Sequence, residues 1–444
     1  MNRTDRVEIS DGFEQSNVDI AGLIAKRRTA VLASMVGTSI EWYDFILYSI
    51  ASGLIFPSLY FAKSDPLSAT LSSYGIFALG FVARPLGALI FGHYGDRIGR
   101  KGTLIATLIM MGLGTFSVAL VPTYVQIGIA GAVTLTVLRF IQGVGVGGEW
   151  AGSVLVAMEW ARPERRGFAA SWPQIGVPLG LVLANLAFAA ASFATGSAFM
   201  SWGWQLPFAA SILLVGLGFL IRRAVEETPV FRTIAQENRI QQQPVARVIK
   251  HHYRKILIIA FMRIVEMAFF QVMTVFIYTF SLQRLHLGHD TILQTLLVAA
   301  CVCTAAIPVF GNLSDRVGRK RLFIIGTIAA PAFAFAYFAL LSAGSLTLSL
   351  IMIALSLIPF AMMYGSESVL IADNFSPELR YSGSSIGYQL SAIIGGGPTP
   401  IIVTLLFHHD HTGFAIAGYI LVCAIISLIA VSFLKERHEA SGQD

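Results

Sequence analysis

The chain has 444 residues, 55% of them hydrophobic and only 13% charged, with a mean hydropathy of +0.70. A soluble globular chain carries about 25% charged residues. This composition therefore excludes a soluble enzyme, a disordered chain and a nucleic-acid-binding protein, despite a net charge of +6, and it predicts a polytopic helical membrane protein. Cys301, Cys303 and Cys423 fall inside apolar runs, which predicts neither a disulfide framework nor a metal cluster. The first 25 residues are polar and hold five acids, unlike a cleaved signal peptide.

A spanning helix needs about 20 mostly apolar residues. Apolar runs between charged, proline or glycine breaks predict twelve spans. In the first half they are 29–60, 67–94, 102–121, 126–158, 167–195 and 202–221. In the second half they are 255–282, 291–313, 321–342, 345–372, 381–407 and 413–434. The expected organisation is an N-terminal segment 1–28, a six-helix bundle 29–221, a linker 222–254, a second bundle 255–434 and a tail 435–444. With the N-terminus inside, 26 of the 31 lysines and arginines fall on the cytoplasmic side and only Lys63 and Arg284 on the outer side. This predicts cytoplasmic termini and a lipid-facing role for the basic excess. The linker arginines, Arg222 among them, are expected at the membrane interface.

The chain repeats itself. Residues 92–101 read GHYGDRIGRK and residues 311–320 read GNLSDRVGRK, an offset of 219 residues. Pro163, Glu164 and Arg166 are echoed by Pro377, Glu378 and Arg380 at the ends of spans 4 and 10. Two six-span halves around a midplane site are a transporter plan.

The loop GxxxDRxGRK, present twice, and Arg139-Phe-Ile-Gln142-Gly143 in span 4 resemble signatures of the major facilitator superfamily. Glu41-Trp42-Tyr43-Asp44-Phe45, Arg84-Pro85-Leu86-Gly87, Gly147-Gly148-Glu149-Trp150 and Glu226-Glu227-Thr228-Pro229 resemble its metabolite:proton symporters, the shikimate, α-ketoglutarate, citrate and proline/betaine carriers. The resemblance covers the whole chain. It implies an all-α membrane protein with the major facilitator fold, located in a bacterial inner membrane.

Ionisable residues deep in a bilayer are costly and are functional candidates by default. The spans hold five acids (Glu41, Asp44, Glu149, Glu266, Glu367) and three arginines (Arg84, Arg139, Arg263), a surplus of two negative charges. Protonating an acid is the easiest way to remove that surplus, since Arg stays charged. Glu41, Asp44 and Tyr48 share a helical face at i, i+3, i+7. Asp44 and Arg139 are the expected proton-coupling pair, a role that the resemblance also implies; a permanent structural ion pair is the alternative. Glu41 and Glu149 are further coupling candidates, Glu149 serving otherwise to brace the glycines at 143–148. Arg84 has two readings, a bidentate clamp for a substrate carboxylate or a partner for Asp44. Arg263 and Glu266, at i, i+3 on span 7, form a structural pair or contact substrate. Glu367 gates or couples.

Gln174, with Trp172 and Pro178, and Gln271, Tyr278, Tyr364, Tyr388 and Gln389 are polar handles for a hydroxylated acid or else helix–helix hydrogen bonds. In the repeated loops Asp96 is expected to cap span 3 or meet a neighbouring helix. The resemblance implies a cytoplasmic latch built from Asp96, Arg97, Arg100, Glu159, Arg165, Asp315, Arg316 and Asp373. The histidine cluster at 408–411 predicts no metal site, and no cofactor is expected.

The sequence thus predicts no enzyme but a monomeric secondary active transporter that moves a small organic acid with protons, surrounded by lipid and without a nucleic-acid partner. Each inward proton gains about 2.3 kcal/mol per 100 mV. A betaine or proline symporter and a proton-driven drug exporter are the alternatives. A short tail beyond span 12 speaks against the osmosensory type.

Overall fold

The computed structural model describes residues 3–277, 280–281, 289–342, 345–410 and 412–434, and every long element among them is helical. Tyr278, Arg284 and His411 lie outside the described residues. Ten stretches among the described residues are long and apolar enough to cross a bilayer. They correspond to spans 2 (Pro66–Arg97), 3 (Arg100–Val118), 4 (Ile129–Glu159), 5 (Arg166–Gln174 and Gly176–Thr195) and 6 (Gln205–Ala224), and to five more in the second half. Those five are spans 7 (Pro244–Met262 and Ile264–Gln271), 8 (His289–Val317), 9 (Arg319–Ser342), 10 (Leu346–Leu355 and Ile358–Ala372) and 12 (Phe414–Ser432).

Two more complete the expected twelve. Span 1 (Arg3–Leu54) carries Glu41 and Asp44 in its apolar stretch. Span 11 is broken by a π-helical turn, Ala392–Gly396, into Arg380–Ser391 and Thr399–Asp410. Polar content and interruption lower the hydropathy signal of these two, and both features mark membrane segments that line a site.

Helix ends follow local chemistry. Asp65 accepts the Ser68 amide at 3.0 Å, and Pro66 follows it to open span 2. Gly99 turns the chain into span 3 at φ +125°, a region that disfavours any side chain. Spans 2 and 4 lie so close that a Cβ on Gly87 would sit 1.9 Å from the Val144 carbonyl oxygen, and one on Gly147 2.1 Å from that of Arg84. Small residues permit such contact where lipid offers no hydrophobic drive. The glycines at 143–148 are thus a packing surface.

Two boundaries differ from the sequence expectation. The linker is largely helical, with Pro229–Gln236 followed by Pro244–Met262, which bends at His252 and runs on as span 7. Span 7 is interrupted at Arg263, which stands between its two helical pieces with φ −86° and ψ −1°. An apolar run gives no hint of either feature.

Candidate functional site

In the first half, four buried charges stand close without pairing. Both Asp44 carboxylate oxygens are buried. The Thr115 hydroxyl lies near them but donates to the Met111 carbonyl at 3.1 Å and leaves them without a well-formed hydrogen bond, and Oε2 of Glu41 is buried without one as well. Arg139 is the cation whose field reaches Asp44, yet no ion pair joins them. The Arg139 guanidinium instead faces three rings, 4.4 Å from the centre of Tyr48, 4.8 Å from Phe77 and 5.1 Å from Phe45. Its Nε donates to the Phe77 carbonyl at 3.5 Å. Arg84 lies 4.5 Å from the Phe81 ring centre and 4.8 Å from Phe45, and among the described residues it makes no ion pair. Phe45 therefore sits between two guanidinium groups. Ring faces attract a cation by about 0.5–2 kcal/mol each, but they leave its charge uncancelled. The Tyr48 hydroxyl is buried and unpartnered as well.

Glu149 is different. Arg222 grips it with both terminal nitrogens, Nη1 to Oε2 at 3.1 Å and Nη2 to Oε1, while Thr107 and Ser153 each donate to it at 2.8 Å. Arg222 also donates to the Leu104 carbonyl and is only 3% exposed. The expectation of an interfacial Arg222 is therefore corrected: the last turn of span 6 points it inward. Gly37 opens the space, since a Cβ there would fall 1.8 Å from Arg222 Nη2. The deep acids now face four arginines, and the surplus falls from two to one.

That surplus lies in the second half. Nε of Arg263 donates to both oxygens of Glu367 at 3.0 Å, and Nη2 donates to Glu266 at 2.8 Å. Nη1 donates to Ser391 Oγ at 2.6 Å and to the Tyr388 carbonyl at 3.3 Å. Two acids thus share one arginine.

The other polar handles join the halves. Trp150 of span 4 stacks on Tyr388 of span 11 at 3.7 Å. Gln174 accepts the Trp150 indole N–H at 2.8 Å and donates to the Tyr364 carbonyl at 3.1 Å, and the Tyr364 and Tyr388 hydroxyls meet at 3.1 Å. Gln389 donates to the Val146 carbonyl at 3.3 Å. Gln271 donates to the Gly396 carbonyl of its own half at 3.4 Å.

At the loop end of the bundle the two repeats cross over. Asp96 accepts the backbone amides of Tyr381 and Ser382 at 3.1 and 2.8 Å, and so caps span 11 rather than span 3. Asp315, its counterpart in the repeat, accepts those of Gly167 and Phe168 at 2.8 Å and caps span 5. Each half thereby holds a helix start of the other. Arg100 ties Asp96 to Glu159 at 3.8 and 3.5 Å and donates to the Pro377 carbonyl, while Arg319 ties Asp315 to Asp373 at 3.4 and 3.0 Å. Arg380 lies between Glu159 and Asp373, 3.9 Å from each. Arg97, Arg165 and Arg316 are exposed and make none of these contacts. Sequence reasoning missed Arg319, although its position in the repeat was visible.

The start of span 3 belongs to Glu227, which accepts the amides of Arg100 and Lys101 at 3.1 and 3.2 Å. Among the described residues no group of His, Cys, Asp or Glu is placed to hold a metal ion.

The family model of the Major Facilitator Superfamily matches residues 45–400 and 302–444, and the chain belongs to that superfamily of membrane transporters, not to an enzyme family. It is 37% identical to the "Inner membrane metabolite transport protein YhjE" of Escherichia coli (strain K12), across 94% of this chain and 96% of that one. It is 34% identical to the "Shikimate transporter" of the same organism, over the same shares. Its identity to the "Glycine betaine/proline/ectoine/pipecolic acid transporter OusA" of Dickeya dadantii (strain 3937) is 30%, across 92% and 83%. The fold matches the proton:xylose symporter XylE bound to 6-bromo-6-deoxy-D-glucose, with a TM-score of 0.71 at 17% identity over 92% and 95% of the chains.

Proposed function

We propose that the protein is a proton-coupled symporter of a small organic acid, shikimate-like or a dicarboxylate, that works by alternating access as a monomer in a bacterial inner membrane. Arg84 carries this reading. It is a buried guanidinium, 6% exposed and fixed between two rings, and among the described residues no acid forms an ion pair with it, although the Glu41 charge acts on it. Its planar fork suits bidentate capture of a carboxylate.

Charge balance supplies the coupling. Glu41 and Asp44 formally offset Arg84 and Arg139, so a monoanionic substrate on Arg84 brings the cluster to one negative charge. A proton on Asp44, whose two oxygens are buried without a well-formed hydrogen bond, restores neutrality. When Arg139 swings from its rings towards Asp44 the proton leaves. Acid and proton then travel together, and neither is favoured alone. With the termini cytoplasmic, the crossed caps close the inner side, and this conformation receives substrate from outside. The shikimate transporter among the relatives and the proton-coupled XylE among the folds support the same reading.

The test is reconstitution in liposomes under an imposed inward proton gradient, with shikimate, α-ketoglutarate, citrate and betaine as candidates. Accumulation of one of the acids, dissipated by a protonophore, is the expected result. Betaine accumulating while all three acids stay outside would replace the substrate class, and efflux of a drug instead would reverse the direction.

A further inference from the structure

The deep charges do not balance in the second half. Arg263, Glu266 and Glu367 are each 0% exposed, and one guanidinium serves both carboxylates. Glu367 receives the Arg263 Nε proton on both oxygens, whereas Glu266 is bonded through Oε2 alone and its buried Oε1 has no partner. Among the described residues no second cation forms an ion pair with either acid. The other polar groups at the cluster are neutral: Ser391 and Tyr388 on span 11, Tyr364 on span 10 and, on span 12, Ser427, which accepts the Val265 amide. Arg84 on span 2 faces the Phe45 and Phe81 rings instead, and among the described residues it forms no ion pair with either acid. A buried carboxylate without a counter-charge is strongly disfavoured, and two acids sharing one site give up one ionisation.

The same arginine holds the seam between the halves. Its guanidinium carbon lies 3.6 Å from the Tyr388 ring centre, and the Tyr388 ring stacks on Trp150 of the first half. Arg263, Tyr388 and Trp150 thus form a column that crosses the interface, anchored at the break in span 7.

We propose that Glu266 and Glu367 bind one proton between them, resting on Glu266, and form a second protonation site that holds the Arg263–Tyr388–Trp150 column in place. With one acid neutral, Arg263 remains over the ring. Loss of the proton leaves two carboxylates pulling the guanidinium off Tyr388, and the stack across the seam loosens. The site is distinct from Asp44, and the proposal does not rest on the identity of the substrate.

Infrared spectroscopy of the purified full-length protein in lipid nanodiscs tests it across a pH titration without substrate. A protonated-carboxyl stretch is expected in the wild type, retained in Asp44→Asn and lost in both Glu266→Gln and Glu367→Gln, because a single remaining acid is neutralised by Arg263. Carbon-13 labelling of glutamate in the unaltered chain should shift that stretch, and this arm holds even if a variant fails to fold. The emission of Trp150, taken as the difference between wild type and Trp150→Phe, should change with the same midpoint. A glutamate-labelled stretch that is absent, or that is unchanged in both glutamine variants, would overturn the site. Trp150 emission that stays flat while the stretch titrates would overturn the link to the seam. Neither readout involves transport, so a failed uptake assay and a failed titration refute different claims.

Discussion

Asp96 accepts the backbone amide of Ser382 at 2.8 Å across 286 residues of sequence, and Asp315 accepts that of Gly167 at 2.8 Å in the opposite sense. The two aspartates stand 219 residues apart in the repeated loops, so a duplicated sequence produces a reciprocal lock. A carboxylate at a helix N-terminus gains from the exposed amides and from the helix dipole.

Asp96→Asn and Asp315→Asn each leave one acceptor oxygen for two amides and remove the charge, and should weaken this lock by about 1–2 kcal/mol, which is roughly tenfold in the closed population. Thiol labelling at Ser385→Cys, a position buried at 1% exposure on span 11, is the measurement, taken above the background of the native cysteines. Labelling should rise in either variant and rise further in the pair. An unchanged rate would mean that the caps do not hold the halves together.

Glu227→Gln should lower the melting temperature, because it weakens the acceptor that serves the first two amides of span 3, at a cost of about 1 kcal/mol. Glu226→Gln is the internal control. Its ion pairs to Lys26 and Arg232, each at 2.8 Å, are exposed, and exposed pairs contribute little. These pairs draw the Glu226 carboxyl below its ordinary range, Lys26 and Arg232 being the cause.

Glu149 and Arg222 lend themselves to a double-mutant cycle. Glu149→Gln or Arg222→Gln leaves a buried charge alone and should destabilise by about 3–5 kcal/mol. The double variant removes both charges and should recover much of that loss. Equal loss in the single and double variants would identify packing, not charge, as the contribution of Arg222.

Arg84→Lys keeps the charge but not the fork. Substrate affinity in reconstituted vesicles should fall about tenfold, the worth of one charge-assisted hydrogen bond of roughly 1.5 kcal/mol. Full retention would rule out two-point capture.

Asp44→Asn should abolish accumulation driven by a pH gradient while substrate exchange across the vesicle membrane continues. Gradient-driven accumulation that survived the substitution would remove Asp44 from the coupling step.

The twelve-span plan and the two halves were legible because hydropathy and the GxxxDRxGRK repeat are local in sequence. The destination of each loop was not. Asp96 lies a few residues before span 3, so the sequence allows a cap on that helix or a contact with a neighbouring one, and the choice between them falls to tertiary packing, which brings it the amide donors of span 11. Arg222 misled for a similar reason. A basic residue after an apolar run looks interfacial, and only the gap beside Gly37 on span 1 turns it inward. The unpaired state of Asp44, Arg84 and Arg139 was likewise invisible. Span depth suggested a pair, whereas Phe45, Tyr48 and Phe77 keep the guanidinium of Arg139 on their faces.

Both locking aspartates grasp main-chain N–H groups, which every amino acid but proline supplies. At Phe168 and Ser382 the amide is the contact, so a proline there should damage closure. Gly167 must also stay small, since a Cβ on it would fall 2.5 Å from Ser314 Oγ and 2.7 Å from Asp315 Oδ1, and Tyr381 adds a hydroxyl bond to the Gly148 carbonyl at 2.6 Å. The two carboxylates fasten the backbone, while Arg100, Arg319 and Arg380, with Glu159 and Asp373, add the charged ties around them.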